Sequence, residues 1–269
     1  MRAQFLILIT ILTGLGTYTP NPVPAAKHQF IVIAHRGDHM IYPENSLEAY
    51  REAIKNAADY TEIDLRTTKD SQLVSMHDGT VNRMANAKGA VSSLTLDELK
   101  QLKLKGKDST QTYRIPTFAE ILKLAKNKIN IYLDFKAADP ATAYKMIQAY
   151  GMEKQVLVYI NSQAQFTGWR KAAPKMPLML SLPDSVKSVS SMQKFLDAYQ
   201  PDLLDGSYSQ YTPALLDYAA TMKLPVWPDI QSAGEGPAEW NKALQKGLTG
   251  LQTDHPAALV KYLKEKGLR

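Results

Sequence analysis

From residue 29 onward the chain alternates short runs rich in Val, Ile, Leu and Tyr with stretches of helical periodicity. Eight such runs can be counted, at residues 30–34, 60–65, 129–135, 156–160, 177–182, 203–207, 225–228 and 249–253. Strands covered on both faces read as near-continuous apolar runs, and intervening helices are the connections that parallel strands require. Eight repeats with no linker between them argue for a closed α/β barrel over an open doubly wound sheet. The chain has 269 residues, 45% of them hydrophobic and 22% charged, enough for a barrel core and too apolar for a disordered segment.

Two segments stand outside the repeat. Arg2 precedes an apolar stretch at 5–15 and a Pro-rich, small-residue segment at 19–26, the layout of a secretory signal with cleavage near Ala25 or Ala26. The apolar stretch is short for a bilayer span, which takes about 20 residues. The expected mature unit is therefore 27–269, periplasmic or secreted, with no stable membrane anchor. The second segment, residues 73–128, is a long connection between strands two and three. It is expected to turn at 69–71, return through a short strand at 73–76, and carry helices at 95–104 and 117–125, the latter opened by a Thr117–Glu120 capping pair. A similar pair, Asn45 with Glu48, is expected to open the first helix.

With no cysteine, the chain has no disulfide, thiolate metal cluster or cysteine nucleophile, so any metal must use oxygen or imidazole. Lys plus Arg number 32 against 26 acids, a net charge of +6 without a dense basic block. Nucleic-acid binding is not called for, and the Lys103, Lys105, Lys107 alternation reads as a solvated surface.

Barrel strands deliver reactive side chains at their C-terminal ends. The first run stops at His35-Arg36-Gly37, the second holds Glu62-Ile63-Asp64, and the third holds Asp134-Phe135-Lys136. Because strand side chains alternate, Glu62 and Asp64 share a face, as do Asp134 and Lys136. Three carboxylates on one rim would repel unless a cation held them, and all-oxygen ligation selects Mg²⁺ or Ca²⁺ over Zn²⁺. The same acids could instead pair with Arg36 and Lys136 and bind no metal. His35 and His77 could supply one proton acceptor and one donor for hydrolysis at phosphorus. His39 is a reserve candidate, and His28 and His255 read as structural.

His35-Arg36-Gly37, Pro43-Glu44-Asn45-Ser46, Glu62-x-Asp64 and Leu73-Val74 leading to His77-Asp78, in this order and spacing, resemble the signature of the glycerophosphodiester phosphodiesterases. The resemblance implies a TIM (β/α)8 barrel with an extended segment between strands 2 and 3. It implies that His35 and His77 are the acid and base, that Glu62, Asp64 and Asp134 hold a divalent cation, Ca²⁺ or Mg²⁺, and that Arg36 and Lys136 hold the phosphate. Glu44 matches a supporting acidic position. The chain departs from the pattern at Asp134, where Glu is usual, and at Trp227-Pro228-Asp229, where the Trp is commonly followed by Thr; Trp227 could wall the alcohol or belong to the core. The implied reaction is hydrolysis of a small-molecule glycerophosphodiester to sn-glycerol 3-phosphate and an alcohol. The alternatives are a lysophospholipase D or sphingomyelinase D-like phosphodiesterase on the same site, and a non-catalytic phosphodiester-binding barrel.

Overall fold

The computed structural model describes residues 18–108 and 110–269; the apolar stretch of the expected leader, 5–15, lies outside them. Seven parallel strands curl around a common axis: β1 (Ile31–Ala34), β2 (Tyr60–Thr67), β4 (Asn130–Ala137), β5 (Val156–Ile160), β6 (Leu178–Ser181), β7 (Leu203–Asp205) and β8 (Gly250–Thr253). A short strand, β3 (Leu73–Ser75), pairs antiparallel with the far end of β2, as the turn at 69–71 predicts. The helices are α1 (Leu47–Lys55), α2 (Leu96–Gln101), α3 (Phe118–Ala125), α4 (Pro140–Ala149), α5 (Gln163–Ala172), α6 (Val189–Tyr199), α7 (Pro213–Thr221), α8 (Pro237–Gln245) and α9 (Pro256–Glu265).

The expected seventh barrel strand, 225–228, forms no continuous ladder. Pro225 and Pro228 lack the N–H that a central strand must donate. The segment still closes the barrel through separate bonds: Leu204 N–H to Pro225 O at 2.9 Å and Trp227 N–H to Leu204 O at 2.9 Å on one side, and Gln252 N–H to Pro228 O at 3.0 Å on the other. The barrel thus has a parallel bridge where the sequence pattern suggests a strand.

The excursion between β2 and β4 builds its own small core from Val74, Met76, Val81, Val91, Leu99, Leu104, Tyr113 and Ile115. Capping boxes open both of its helices, Thr95 with Glu98 on α2 and Thr117 with Glu120 on α3. At α1 the cap lies one residue later than expected. Ser46 Oγ accepts from Ala49 N–H at 3.1 Å, leaving the Asn45 side chain free for another partner.

Inside the barrel a layer of Ile31, Ile33, Tyr60, Tyr132, Leu157, Met179, Leu203 and Trp227 fills the N-terminal half. Residues 18–26 lie beneath it. Val23 and Ala26 pack on that layer, the Tyr60 hydroxyl donates to Pro24 O, and Asn130 Nδ2 donates to Ala25 O at 2.9 Å. Asn21 N–H reaches Asp202 Oδ1 at 2.6 Å. The chain end is fastened nearby, where the buried Arg269 guanidinium and His28 both hold Asp59. Among the described residues no helix is long and apolar enough to cross a membrane.

Candidate active site

At the opposite, C-terminal end of the strands, a cavity of about 260 Å³ is lined by His35, Arg36, Glu62, His77, Asp134 and Lys136, with Tyr132, Tyr159, Asn161, Asp205, Asp229, Gln231 and Gln252. Larger hollows elsewhere on the surface lack this combination of groups. The parallel register explains the convergence. Asp64 on β2 pairs with Asp134 on β4, so the two carboxylates stand at one height, with Glu62 one step below. Oxygens of Glu62, Asp64 and Asp134 lie within 4.8 Å of one another.

This triad is electrostatically frustrated as it stands. Burial, followed by repulsion from Asp64 and Asp134, pushes the Glu62 carboxyl well above the usual carboxylate range. Burial and Asp64 likewise raise Asp134, against the pull of Lys136 and Asn161. Asp64 Oδ1 is buried and accepts no hydrogen bond. Three close oxygens, one of them without a hydrogen bond and met only by the Lys136 ion pair at 3.3 Å, fit a hard divalent cation. The ion pairs of the alternative reading are present as well: Lys136 Nζ lies 2.5 Å from Asp134 Oδ2 and 3.3 Å from Asp64 Oδ1, and Arg36 Nε lies 3.7 Å from Asp64 Oδ2. The two cations offset part of the charge and line the same cavity.

Arg36 sits at the tip of a strained turn after β1. Its φ is +53°, a left-handed conformation that costs an ordinary residue free energy. Its N–H donates to Glu62 Oε2 at 2.6 Å, and Nη1 to Glu44 Oε1 at 3.1 Å. The next residue must be glycine. Gly37 has φ +82°, and a Cβ there would come within 2.8 Å of Ala49. Asn45, also left-handed, donates from Nδ2 to Asp64 Oδ2 at 2.7 Å, while its Oδ1 accepts from the Tyr50 and Ser75 hydroxyls at 2.7 Å each. A buried carboxylate is thereby aimed by a buried amide.

Each histidine is held through Nδ1 by a carboxylate, leaving Nε2 for the cavity. His35 Nδ1 lies 2.6 Å from Asp254 Oδ1, and His77 Nδ1 lies 2.9 Å from Asp78 Oδ1. Burial alone would raise Asp254, but the His35 hydrogen bond and the charges of His35, His39 and Arg36 hold it below its ordinary value. Asp78 is held low chiefly by Arg83, whose guanidinium bridges Asp78 (2.8 Å) and Glu44 (2.6 Å). Arg66 fixes the backbone of the same loop, donating from Nη2 to His77 O at 2.6 Å. His39 stands behind His35: its Nδ1–H donates to the His35 carbonyl at 2.8 Å, and it does not line the cavity.

The structure therefore brings His35, His77, Arg36, Lys136, Glu62 and Asp134 to one cavity, with Asp64 and Glu44 directly behind. Trp227 is not brought there. It is 4% exposed in the apolar layer below, its ring tilted 53° against Tyr60, in space left by Gly250, where a Cβ would lie 2.5 Å from the indole. Its expected place against the substrate is thus corrected to the core: Trp227 and Asp229 both face inward, one step apart, and only the upper residue reaches the cavity. The sequence pattern does not single out Arg83, Asp205 or Gln252, gives Asn45 as the cap of α1, and gives Asp254 the shaping of the last loop rather than a place at the site. Asp254 could have been found from its place directly after the last strand, where the other site residues also cluster.

A sequence profile of the glycerophosphoryl diester phosphodiesterase family matches residues 35–258. The chain is 28% identical over 246 residues to a glycerophosphodiester phosphodiesterase of Caldanaerobacter subterraneus subsp. tengcongensis, covering 88% of this chain and 99% of that one. It is 24% identical over 300 residues to one of Bacillus subtilis, covering 98% and 99%. A crystal structure of a glycerophosphodiester phosphodiesterase from Agrobacterium tumefaciens superposes with a TM-score of 0.78 at 22% identity, covering 86% of this chain and 99% of the other. An Oleispira antarctica phosphodiesterase in complex with the product sn-glycerol-3-phosphate superposes with a TM-score of 0.76 at 20% identity, covering 87% and 96%. These structures share the barrel. The chain belongs to the glycerophosphoryl diester phosphodiesterase family and is an enzyme of that class.

Proposed function

We propose that this enzyme hydrolyses glycerophosphodiesters to sn-glycerol 3-phosphate and a free alcohol, with His35 and His77 as acid and base, Arg36 and Lys136 on the phosphate, and Glu62, Asp64 and Asp134 holding Ca²⁺ or Mg²⁺. One observation carries the reading: two carboxylate-anchored imidazoles, two cations and a buried carboxylate triad meet around a single small cavity. The Oleispira relative's complex with sn-glycerol-3-phosphate supports the same substrate class.

A divalent cation on the triad would supply Lewis acidity, polarising a phosphoryl oxygen and lowering the pKa of a glycerol hydroxyl. The chain's own groups do the rest. Arg36 and Lys136 stabilise charge that grows on the phosphoryl oxygens during attack, so they favour the transition state over the bound substrate. One imidazole takes the proton of the glycerol 2-hydroxyl as its oxygen bonds to phosphorus, and the other protonates the departing alkoxide as its P–O bond breaks. The attacking oxygen is already tethered, which gives it a large effective concentration. The resulting cyclic phosphate is opened by water with the two histidines exchanging roles. Asp254 and Asp78 keep each ring in the tautomer that offers Nε2.

The test is release of sn-glycerol 3-phosphate from glycerophosphocholine by the metal-stripped protein, with and without added Ca²⁺ or Mg²⁺, and by His35→Ala and His77→Ala. Metal-dependent turnover that either histidine variant loses supports the reading. Chelator-resistant turnover rejects the metal assignment, and exclusive action on lysophosphatidylcholine rejects the substrate class. The leader pattern of residues 1–26 further supports export to the periplasm or medium, which fractionation of cells carrying the full chain would check.

A further inference from the structure

Two apolar side chains stand out into water on the rim that carries the catalytic mouth. Met40 is 41% and Ile41 53% exposed, in the loop that runs from β1 to α1. Exposed hydrophobics scattered singly are ordinary. These two are consecutive, and they border a hollow of about 350 Å³ that Ala257 and Ala258 of α9 also line. The two acids of that hollow are engaged, Asp38 by Asn56 Nδ2 at 2.9 Å and Glu52 by Lys55 Nζ at 2.9 Å. The chemistry proposed above uses none of these groups.

The neighbouring excursion adds positive charge to the same edge. Lys103, Lys105 and Lys107 are exposed. Bridges from Leu104 to Ala85 and Tyr113 make the segment strand-like, so Lys103 and Lys105 share the outer face over the buried Leu104. Lys107 Nζ donates to the Met40 carbonyl, which joins the basic run to the apolar pair. Lys105 Nζ donates to the carbonyls of Asn82 at 3.1 Å and Arg83 at 3.0 Å. Both ammonium groups thus rest on carbonyls rather than carboxylates, and among the described residues Lys103 makes no ion pair. Asp108, next in the chain, is turned to Thr110.

Uncompensated lysines beside protruding apolar side chains suit a bilayer with anionic headgroups, where the lysines meet lipid phosphates and the apolar pair enters the acyl boundary. We infer that Met40 and Ile41, with Lys103, Lys105 and Lys107, form a reversible docking surface for a membrane rich in anionic phospholipid. A soluble polyanion would engage the lysines and gain nothing from the apolar pair. A second copy of this chain, with its net charge of +6, would bring like charge against the strip. Arg83, whose carbonyl Lys105 holds, bridges Glu44 and Asp78 beside His77, so a docked protein carries its cavity mouth close to the headgroups. Three lysines are worth about 100-fold in partitioning. With the apolar pair, the affinity is on the scale of a single acyl chain, about 10⁴ M⁻¹, and falls with salt.

The experiment is co-sedimentation of the full chain with vesicles of phosphatidylcholine alone, or of phosphatidylcholine and phosphatidylglycerol in equal parts, over a range of lipid concentration. The apolar stretch at 5–15 is common to every form, so the readout is the excess affinity for the anionic vesicles. The wild-type chain should prefer them by about 100-fold. The triple variant Lys103→Gln, Lys105→Gln, Lys107→Gln should lose that preference. The double variant Met40→Ser, Ile41→Ser should bind the anionic vesicles about 10-fold more weakly. Each variant is checked for an unchanged circular dichroism melt; if the triple variant melts early, Lys103→Gln alone should still cost about 5-fold. Equal binding of the wild-type chain to both vesicles, or to neither, would overturn the inference. So would a preference that survives loss of the lysines. A double variant that binds vesicles like the wild type but turns from dimer to monomer in sedimentation velocity would make the apolar pair a self-association face, and would overturn it as well.

Discussion

Asp254 and His35 are 219 residues apart in the chain, yet their side chains meet at 2.6 Å across the seam where β8 returns to β1. The carboxylate accepts from Nδ1 and so decides which nitrogen faces the cavity. Asp254→Asn keeps the shape and leaves an amide that can present either O or N–H to the ring. The expected outcome is a fall in kcat of roughly 10²-fold with little change in KM, the scale of a general acid–base contribution. Steady-state kinetics check it, and an unchanged kcat would remove Asp254 from the site.

Asn45 aims Asp64 through one amide, and its left-handed backbone makes glycine the informative replacement. Asn45→Gly tolerates φ +56° but deletes the hydrogen bond to Asp64 and the acceptor for Tyr50 and Ser75. Loss of such outer contacts typically weakens metal binding by about 10- to 100-fold. Calorimetric titration of the metal-stripped protein with Ca²⁺ reads this directly; wild-type affinity would show that Asp64 needs no such support.

Arg83 ties Glu44 to Asp78, linking the loop after β1 to the loop that carries His77. Arg83→Gln should release Asp78 and lower kcat/KM by about 10-fold, within the range of a positioning effect. The circular dichroism melt should move little, because exposed ion pairs contribute about 1 kcal/mol or less. A large melting shift with unaltered kinetics would make Arg83 a purely structural clamp.

The metal-free protein should gain stability on mild acidification. Glu62 and Asp134 are raised by burial and by neighbouring carboxylates, and Asp205 and Asp229 are raised by burial first as well. In the window above the usual carboxylate range, the folded chain holds protons that the unfolded chain has released, so stability falls as pH rises through it. Melting in chelator should thus occur at higher temperature at about pH 5 than at about pH 7.5. Below about pH 4 the trend reverses, as carboxylates held low in the fold, including Glu44 and Asp254, take up protons. Glu62→Gln should flatten the upper limb. A melting temperature that climbs steadily from pH 5 to pH 8 would contradict the raised carboxyls.

Gly250→Ala tests the packing of Trp227. The added methyl would stand 2.5 Å from the indole and 2.9 Å from Ile31 Cβ, and overpacking of this kind costs about 1–3 kcal/mol. Chemical denaturation should show that loss, while activity at low temperature is retained because Trp227 lies below the cavity floor.

The residues legible in the sequence are those whose role is set by local pattern. His35, Glu62, Asp64, Asp134 and Lys136 stand where apolar runs end, and strand alternation alone puts the acids on one face. The Thr117–Glu120 box follows from spacing along a single helix. What stayed hidden depends on distant parts of the chain. The place of Asp254 after the last strand marks the rim, but its pairing with His35 depends on the seam between β8 and β1, and Arg83 lies in a loop whose path only the tertiary fold defines. The height of Trp227 follows from the absent side chain of Gly250, 23 residues later in the numbering. At 225–228 the apolar pattern suggests a strand, whereas two prolines reduce it to isolated bridges.

The strap beneath the barrel bears on how the leader could be trimmed. Pro24 and Ala25 offer their carbonyls to Tyr60 and Asn130, and Asn21 is fastened to Asp202. A peptidase cutting after Ala26 would strip these anchors and expose the apolar layer around Trp227 to water, whereas a cut ahead of Tyr18 would leave the stopper seated. Under the export proposed above, the amino-terminal residue of the mature enzyme, read by Edman sequencing, would be tied to how tightly the lower mouth of the barrel is corked.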